Sequence, residues 1–133
     1  MTGTQTPQPR RRRGAAESLA SIVLAFESVI AFLGGLVIFG LDTLPDGIER
    51  WWGVVAGTTL AVLMILTGRL VRYRWGIAIG WLLQLVVALG ALLEPVLIIV
   101  ALIFGGMYGY ATIKGAALDR RNAAIEAQQP DQA

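Results

Sequence analysis

The sequence predicts an all-α membrane protein, a bundle of four transmembrane helices with its N-terminus and C-terminus both cytoplasmic. Three observations carry this reading. Only 15% of the 133 residues are charged and 56% are hydrophobic, whereas about a quarter of an ordinary soluble domain is charged. The charges gather in short clusters between long apolar runs, each near the roughly 20 residues that a helix needs to cross the hydrocarbon core. Of the eleven Lys and Arg, all but Arg50 fall on one side of the alternating runs, the side that the positive-inside bias assigns to the cytoplasm.

Residues 1–14 carry Arg10, Arg11, Arg12 and Arg13 among polar residues and proline, and read as a disordered basic cytoplasmic tail. They are not a secretory signal, because the apolar stretch behind them is too long and no small-x-small cleavage site follows. A membrane domain over 15–117 comes next. Its first span, about 15–41, contains only Glu17 and Glu27 as ionisable residues. The segment DTLPDGIER, with four charges, Pro45 and Gly47, is an exposed turn. The second span, about 51–68, opens on Trp51 and Trp52, whose amphipathic rings favour the interface. Arg69, Arg72 and Arg74 form a short basic loop, read as a topology signal with lipid headgroups as its neighbours. The third span, about 75–93, has no charge. Glu94 and Pro95 reverse the chain, proline being tolerated in the first turn of a helix because its missing N–H has no partner there. The fourth span, about 95–113, ends near Lys114, with Tyr108 and Tyr110 expected as interface anchors. Residues 118–133 form a second cytoplasmic tail, whose first part continues the last span as a short surface helix.

Lipid tails are as apolar as leucine, so helices associate in a bilayer through close packing of small residues and through hydrogen bonds. Gly34 of the first span, Gly53 and Gly57 of the second, Gly76 and Gly80 of the third, and Gly105 and Gly109 of the fourth recur at such spacings and are expected to pack helix on helix. A second row in the first span, Ser21, Ser28 and Gly35, lies beside the row of Ala20, Glu27, Ala31 and Gly34. A bundle this small offers little room for a cavity, so a substrate path is expected to need two copies.

Two polar residues fall in the middle of spans. Glu27 lies midway between Arg13 and Asp42, and Gln84 midway between Arg74 and Glu94, each roughly 15 to 20 Å from the flanking charges at 1.5 Å per residue. They are therefore expected to meet at similar depth, with Thr58, Thr59 and Ser28 as further members of an intramembrane polar cluster. An ionised carboxylate is costly there, which makes a neutral Glu27 donating to Gln84 the expected pairing. The pair serves either as a structural tie or as a proton-carrying site.

Cysteine and histidine are absent. Disulfides, thiolate and imidazole metal ligands and the commonest nucleophile and base pairs are thereby excluded, so no catalytic residue, metal or cofactor is expected. The basic residues flank apolar runs rather than forming a nucleic-acid footprint.

The segments SLASIVLAFESVIAFLGGLVIFGL, WWGVVAGTTLAVLMILTGR and WGIAIGWLLQLVVALG resemble a family of small actinobacterial membrane proteins of unknown function, domain of unknown function 4233. The likeness covers about Ala15 to Ala117 and rests on Leu24 to Glu27 and on the Trp-Gly and Leu-Gln segments of the third span. In that family the gene commonly neighbours the one for folylpolyglutamate synthase, which implies a link to folate metabolism and no activity. The placement of Glu27 is also similar to that of the glutamate in the first span of small multidrug resistance transporters. The strong charge bias and the basic tails depart from that pattern.

These readings favour a non-enzymatic accessory or structural subunit, with membrane lipids and either itself or a larger membrane protein as partners. The alternative is a small proton-coupled transporter using Glu27 and working as a dimer.

Overall fold

A helix pairs its own backbone N–H and C=O groups, and is thus one of the two forms a chain adopts where no water can do so. In the computed structural model, which describes Gly3 and residues 13–128, the chain forms four helices: α1 (Ala15–Leu41), α2 (Trp52–Leu70), α3 (Arg74–Gly90) and α4 (Leu97–Gln128). There is no strand among the described residues. Three helices, α1, α2 and α4, are long and apolar enough to cross a membrane, and α3 is a shorter apolar helix of 17 residues. Arg11, Arg12 and the last five residues lie outside the described part.

The helix ends follow local chemistry. Asp42 closes α1 in the left-handed conformation, at φ 53° and ψ 45°, with its N–H bonded to the Ile38 carbonyl; among non-glycine residues Asp and Asn tolerate this region best. Gly47, at φ 91°, turns the following loop. Trp51 and Trp52 stack at its end, their ring centroids 4.9 Å apart. Val71 to Tyr73 make the turn from α2 to α3, and the Arg72 guanidinium lies 4.6 Å from the centre of the Tyr73 ring.

The structure differs from the expected boundaries at the end of the third span. The third apolar run stops being helical at Gly90, and Ala91, Leu92 and Leu93 form a turn. The fourth helix continues unbroken past Lys114 to Gln128, a length of about 48 Å. Its last turns combine good helix formers, AALDRRNAAIEAQ, with no glycine or proline to stop them.

Consecutive helices run antiparallel, α1 packing along α2 and α4, and α3 along α2 and α4, so that α1 and α3 face each other diagonally. Ser21 lies opposite Gly68 and Gly35 opposite Gly57 on α2, while Ala16 lies opposite Gly115 on α4. The buried hydrophobic cluster gathers Ala20, Val23, Leu24, Met64, Val71, Leu83, Val87, Tyr108 and Ala111. Nearly all of it sits in the half of the bundle that holds the start of α1 and the Arg72 turn. The other half is differently built. There α1 and α2 meet backbone to backbone, whereas α3 and α4 lean away from them.

Candidate functional site

Glu27 sits on the face of α1 that carries Ala20, Val23 and Leu24, the spacings of three, four and seven residues that share one side of a helix. It is fully buried, with a relative exposure of 0%. On α3, Gln84 lies one turn from Gly80 and beside Leu83 and Val87, all of them buried. The Gln84 amide Nε2 donates to Glu27 Oε2, joining the two diagonal helices at mid-depth. The direction is the reverse of the sequence expectation: the amide donates and the carboxyl accepts. Glu27 Oε1 and Gln84 Oε1 are both buried without a hydrogen-bond partner among the described residues.

Glu27 lies in the wall of a cavity of about 310 Å³. The cavity fills the half of the bundle where α1 and α2 part from α3 and α4, running from Glu27 toward Ile38, Gly53, Leu93 and Leu97. Every other lining side chain is apolar or a glycine. The expectation that so small a bundle offers little room is therefore corrected, since a single chain forms this partly open space by itself. The physical reason is local: glycines let α1 and α2 approach closely, while across the space Leu97 of α4 meets α1 at Gly34 with a branched side chain.

The remaining members of the expected polar cluster do not join Glu27. Thr58 and Thr59 are exposed on the outer side of α2, because Gly57 faces α1 and each further residue turns about 100° away. The buried threonine of α2 is Thr67, which donates to the Leu63 carbonyl at 2.7 Å. Ser28 is buried beside Glu27, but its hydroxyl donates to the Ala25 carbonyl of its own helix at 2.6 Å, as Ser and Thr in helices often do.

Among the expected packing glycines, Gly53 and Gly57 make the close contacts between α1 and α2. A Cβ on Gly57 would stand 2.8 Å from the Ala31 carbonyl oxygen and 2.8 Å from the Gly35 Cα, and one at Gly53 would stand 2.6 Å from Ile38 Cγ2. Their partner on α1 is Gly35, not Gly34. A Cβ on Gly35 would lie 2.6 Å from the Gly53 carbonyl oxygen, whereas one on Gly34 would reach only a Leu97 methyl group at 3.3 Å. Gly76 faces the Leu70 carbonyl and Gly80 the Tyr108 hydroxyl, both too close for a Cβ. Gly109 abuts the Trp81 ring at 3.2 Å, and Gly105 leaves ordinary contact distance, 3.7 Å to Gln84 Oε1.

One residue that the sequence reading assigned elsewhere, and two that it did not single out, matter here. Tyr108 is no interface anchor: it is fully buried, donates to the Ile77 carbonyl at 2.8 Å and meets Trp81 edge-on with centroids 5.5 Å apart. Its signal was the glycine at position 80, which makes the room for its ring. Asp119 on α4 accepts from the Ala15 and Ala16 N–H groups at 2.6 and 3.2 Å, capping α1 from another helix. Gly115 lies against the Ala16 backbone. Arg13 pairs with Glu17 at 3.4 Å, and Arg69, Arg72 and Arg74 are exposed. Among the described residues no group of three acids is placed to hold a metal.

A fully buried carboxyl on an apolar helix, paired across the bundle with the glutamine of the Leu-Gln segment, is what the segments quoted above combine to make. The family described as protein of unknown function DUF4233 matches residues 18–124. The chain belongs to this family. The DUF4233 region takes in all four helices, the Glu27–Gln84 pair and Asp119. No curated protein and no solved structure matches the chain.

Proposed function

We propose that this DUF4233 protein crosses the membrane four times with both ends in the cytoplasm, and that it acts without catalysis as a small proton-coupled carrier in which Glu27 is the polar contact for the solute. The observation that carries the carrier reading is that Glu27, whose Oε1 is buried without a partner among the described residues, lies in the wall of an apolar cavity. A carboxyl needed only to tie helices gains nothing from an empty space of that size beside it, because unfilled volume removes packing contacts. An intramembrane acid next to a cavity is instead the arrangement of a solute or proton pathway. Four crossings are supported by the position of α3, which runs antiparallel between α2 and α4 and carries Gln84 to the depth of Glu27. The orientation is supported by the charge count, Arg13, Arg69, Arg72, Arg74, Lys114, Arg120 and Arg121 lying at one end and Arg50 alone at the other. An actinobacterial origin and a gene beside that of folylpolyglutamate synthase belong to the same proposal.

The test is reconstitution of the wild type and Glu27→Gln into liposomes under an imposed pH gradient, with cationic, neutral and anionic amphipathic solutes offered in turn. Carriage predicts flux of at least one class that the substitution abolishes while helicity and assembly persist. Flux that is absent for all three classes, or unchanged in the variant, refutes it.

A second reading, an accessory subunit in which the pair only fixes helix packing, is favoured by one observation: the Glu27–Gln84 bond joins two diagonal helices that otherwise barely touch. It predicts that Glu27→Gln alters assembly with a larger membrane partner or a second copy and leaves flux untouched.

A further inference from the structure

We propose that the cavity takes an amphipathic ammonium ion, one alkyl body with a single N–H-bearing cationic head, and that this ligand arrives from the lipid between α2 and α3 rather than from water. The inference rests on the carrier reading and adds its ligand class and route.

Three independent features point to it. The first is the chemistry of the wall. Among the described residues Glu27 supplies the only polar side chain in the lining, and its Oε1 is buried without a hydrogen-bond partner. A ligand that fits must therefore be apolar over nearly all of its surface and present one donor at one end, since a second polar group would lose its water without compensation. A cationic donor satisfies a carboxylate better than a neutral one, charge-assisted hydrogen bonds being about twice as strong.

The second feature is the charge around the mouth. The loops that border this half of the bundle carry Asp42, Asp46, Glu49 and Glu94 against Arg50. Asp42 is one turn beyond Ile38, Glu49 one turn before Gly53, and Glu94 lies between Leu93 and Leu97, all four of these neighbours being lining residues. Net negative charge at the rim raises the local concentration of cations and repels anions.

The third is the route. Ala56 on α2 and Val86 and Leu89 on α3 line the cavity and are exposed, whereas the lining residues of α1 and α4 are half-buried or buried. This exposure puts the open side of the cavity at α2 and α3. Those helices meet closely at the opposite end, where Gly76 lies against the Leu70 carbonyl. An alkyl chain passing through this open side exchanges one apolar surrounding for another, and only its head changes partner.

The experiment uses the full chain in nanodiscs of zwitterionic phosphatidylcholine, titrated with decylamine, decanol and decanoate, reading the unfolding midpoint and the half-saturating concentration. Decylamine is expected to raise the midpoint of the wild type by several degrees, and Glu27→Gln to weaken its apparent affinity by about tenfold or more. Decanol and decanoate are expected to leave the midpoint unchanged. Ala56→Phe, which plugs the lateral opening and keeps Glu27, is expected to abolish the response to decylamine even if Glu27→Gln does not fold. Equal shifts from decanol or decanoate that Ala56→Phe removes overturn the ammonium assignment and leave a cavity-binding carrier standing. A decylamine shift that survives Ala56→Phe overturns the lateral route. No shift from any of the three overturns this proposal, while flux of another solute class would still uphold the carrier.

Discussion

Gln84 Nε2 reaches across the diagonal of the bundle to donate to Glu27 Oε2, so the two most polar side chains of the membrane core are each other's partners. Hydrogen bonds of this kind between membrane helices contribute about 0.6 to 2 kcal/mol. A double-mutant cycle of Glu27→Leu and Gln84→Leu, followed by unfolding in mixed micelles, is expected to return a coupling energy in that range. Additive effects would show that the bond contributes nothing to stability.

The approach of α1 to α2 depends on backbone contact at Gly35, Gly53 and Gly57. Gly57→Ala places a methyl group within 2.8 Å of the Ala31 carbonyl and the Gly35 Cα, and is expected to cost about 1 to 3 kcal/mol, as overpacking does. Gly40→Ala and Gly106→Ala meet nothing within 4 Å. They should be neutral, or stabilising by up to about 1 kcal/mol through helix propensity. A ranking in which Gly57 and Gly40 respond alike would contradict the observed interface.

Tyr108 fixes α4 to α3 through its hydroxyl. Tyr108→Phe removes the bond to the Ile77 carbonyl and keeps the ring, so a loss of about 0.5 to 1.5 kcal/mol is expected. Tyr110 is exposed, and Tyr110→Phe should be silent in the same unfolding measurement.

Capping of α1 by Asp119 predicts a local effect. Asp119→Ala should cost about 0.5 to 2 kcal/mol and speed hydrogen exchange at the Ala15 and Ala16 amides first. Asp119→Asn, which keeps one accepting oxygen, should retain part of the protection.

Because the chain has no cysteine, topology is directly testable with single introduced thiols. Under the proposed orientation Asp46→Cys reacts with an impermeant maleimide in intact cells, whereas Asn122→Cys reacts only after lysis. The opposite pattern would reverse the orientation.

Much of this architecture is legible along the chain because helix formation in an apolar run is a local property. The turns at Pro45–Gly47 and at Glu94–Pro95 could be read from residue type, and the meeting of Glu27 with Gln84 from depth alone. The facing of Gly35 rather than Gly34, the outward position of Thr58 and Thr59, the burial of Tyr108 and the reach of Asp119 to Ala15 could not. In a water-soluble helix the apolar stripe marks the buried side; here the lipid-facing and protein-facing sides are equally apolar, so hydropathy loses its rotational information. Small residues keep a trace of it, but Gly34 and Gly35 stand side by side and differ by only about 100° around the axis.

The sequence by itself determined that there are four apolar helices, where most of their ends lie, which end of the bundle is basic, and that one acid and one amide are buried at matching depth. Each of these follows from residue type and the rise of a helix. Only the tertiary structure decided which glycines let α1 and α2 touch, that a space remains between these helices and α3 and α4, and that the carboxyl beside it keeps one oxygen without a partner among the described residues. A cavity belongs to no residue: it is the volume left when helices of fixed shape pack as closely as their largest facing side chains permit.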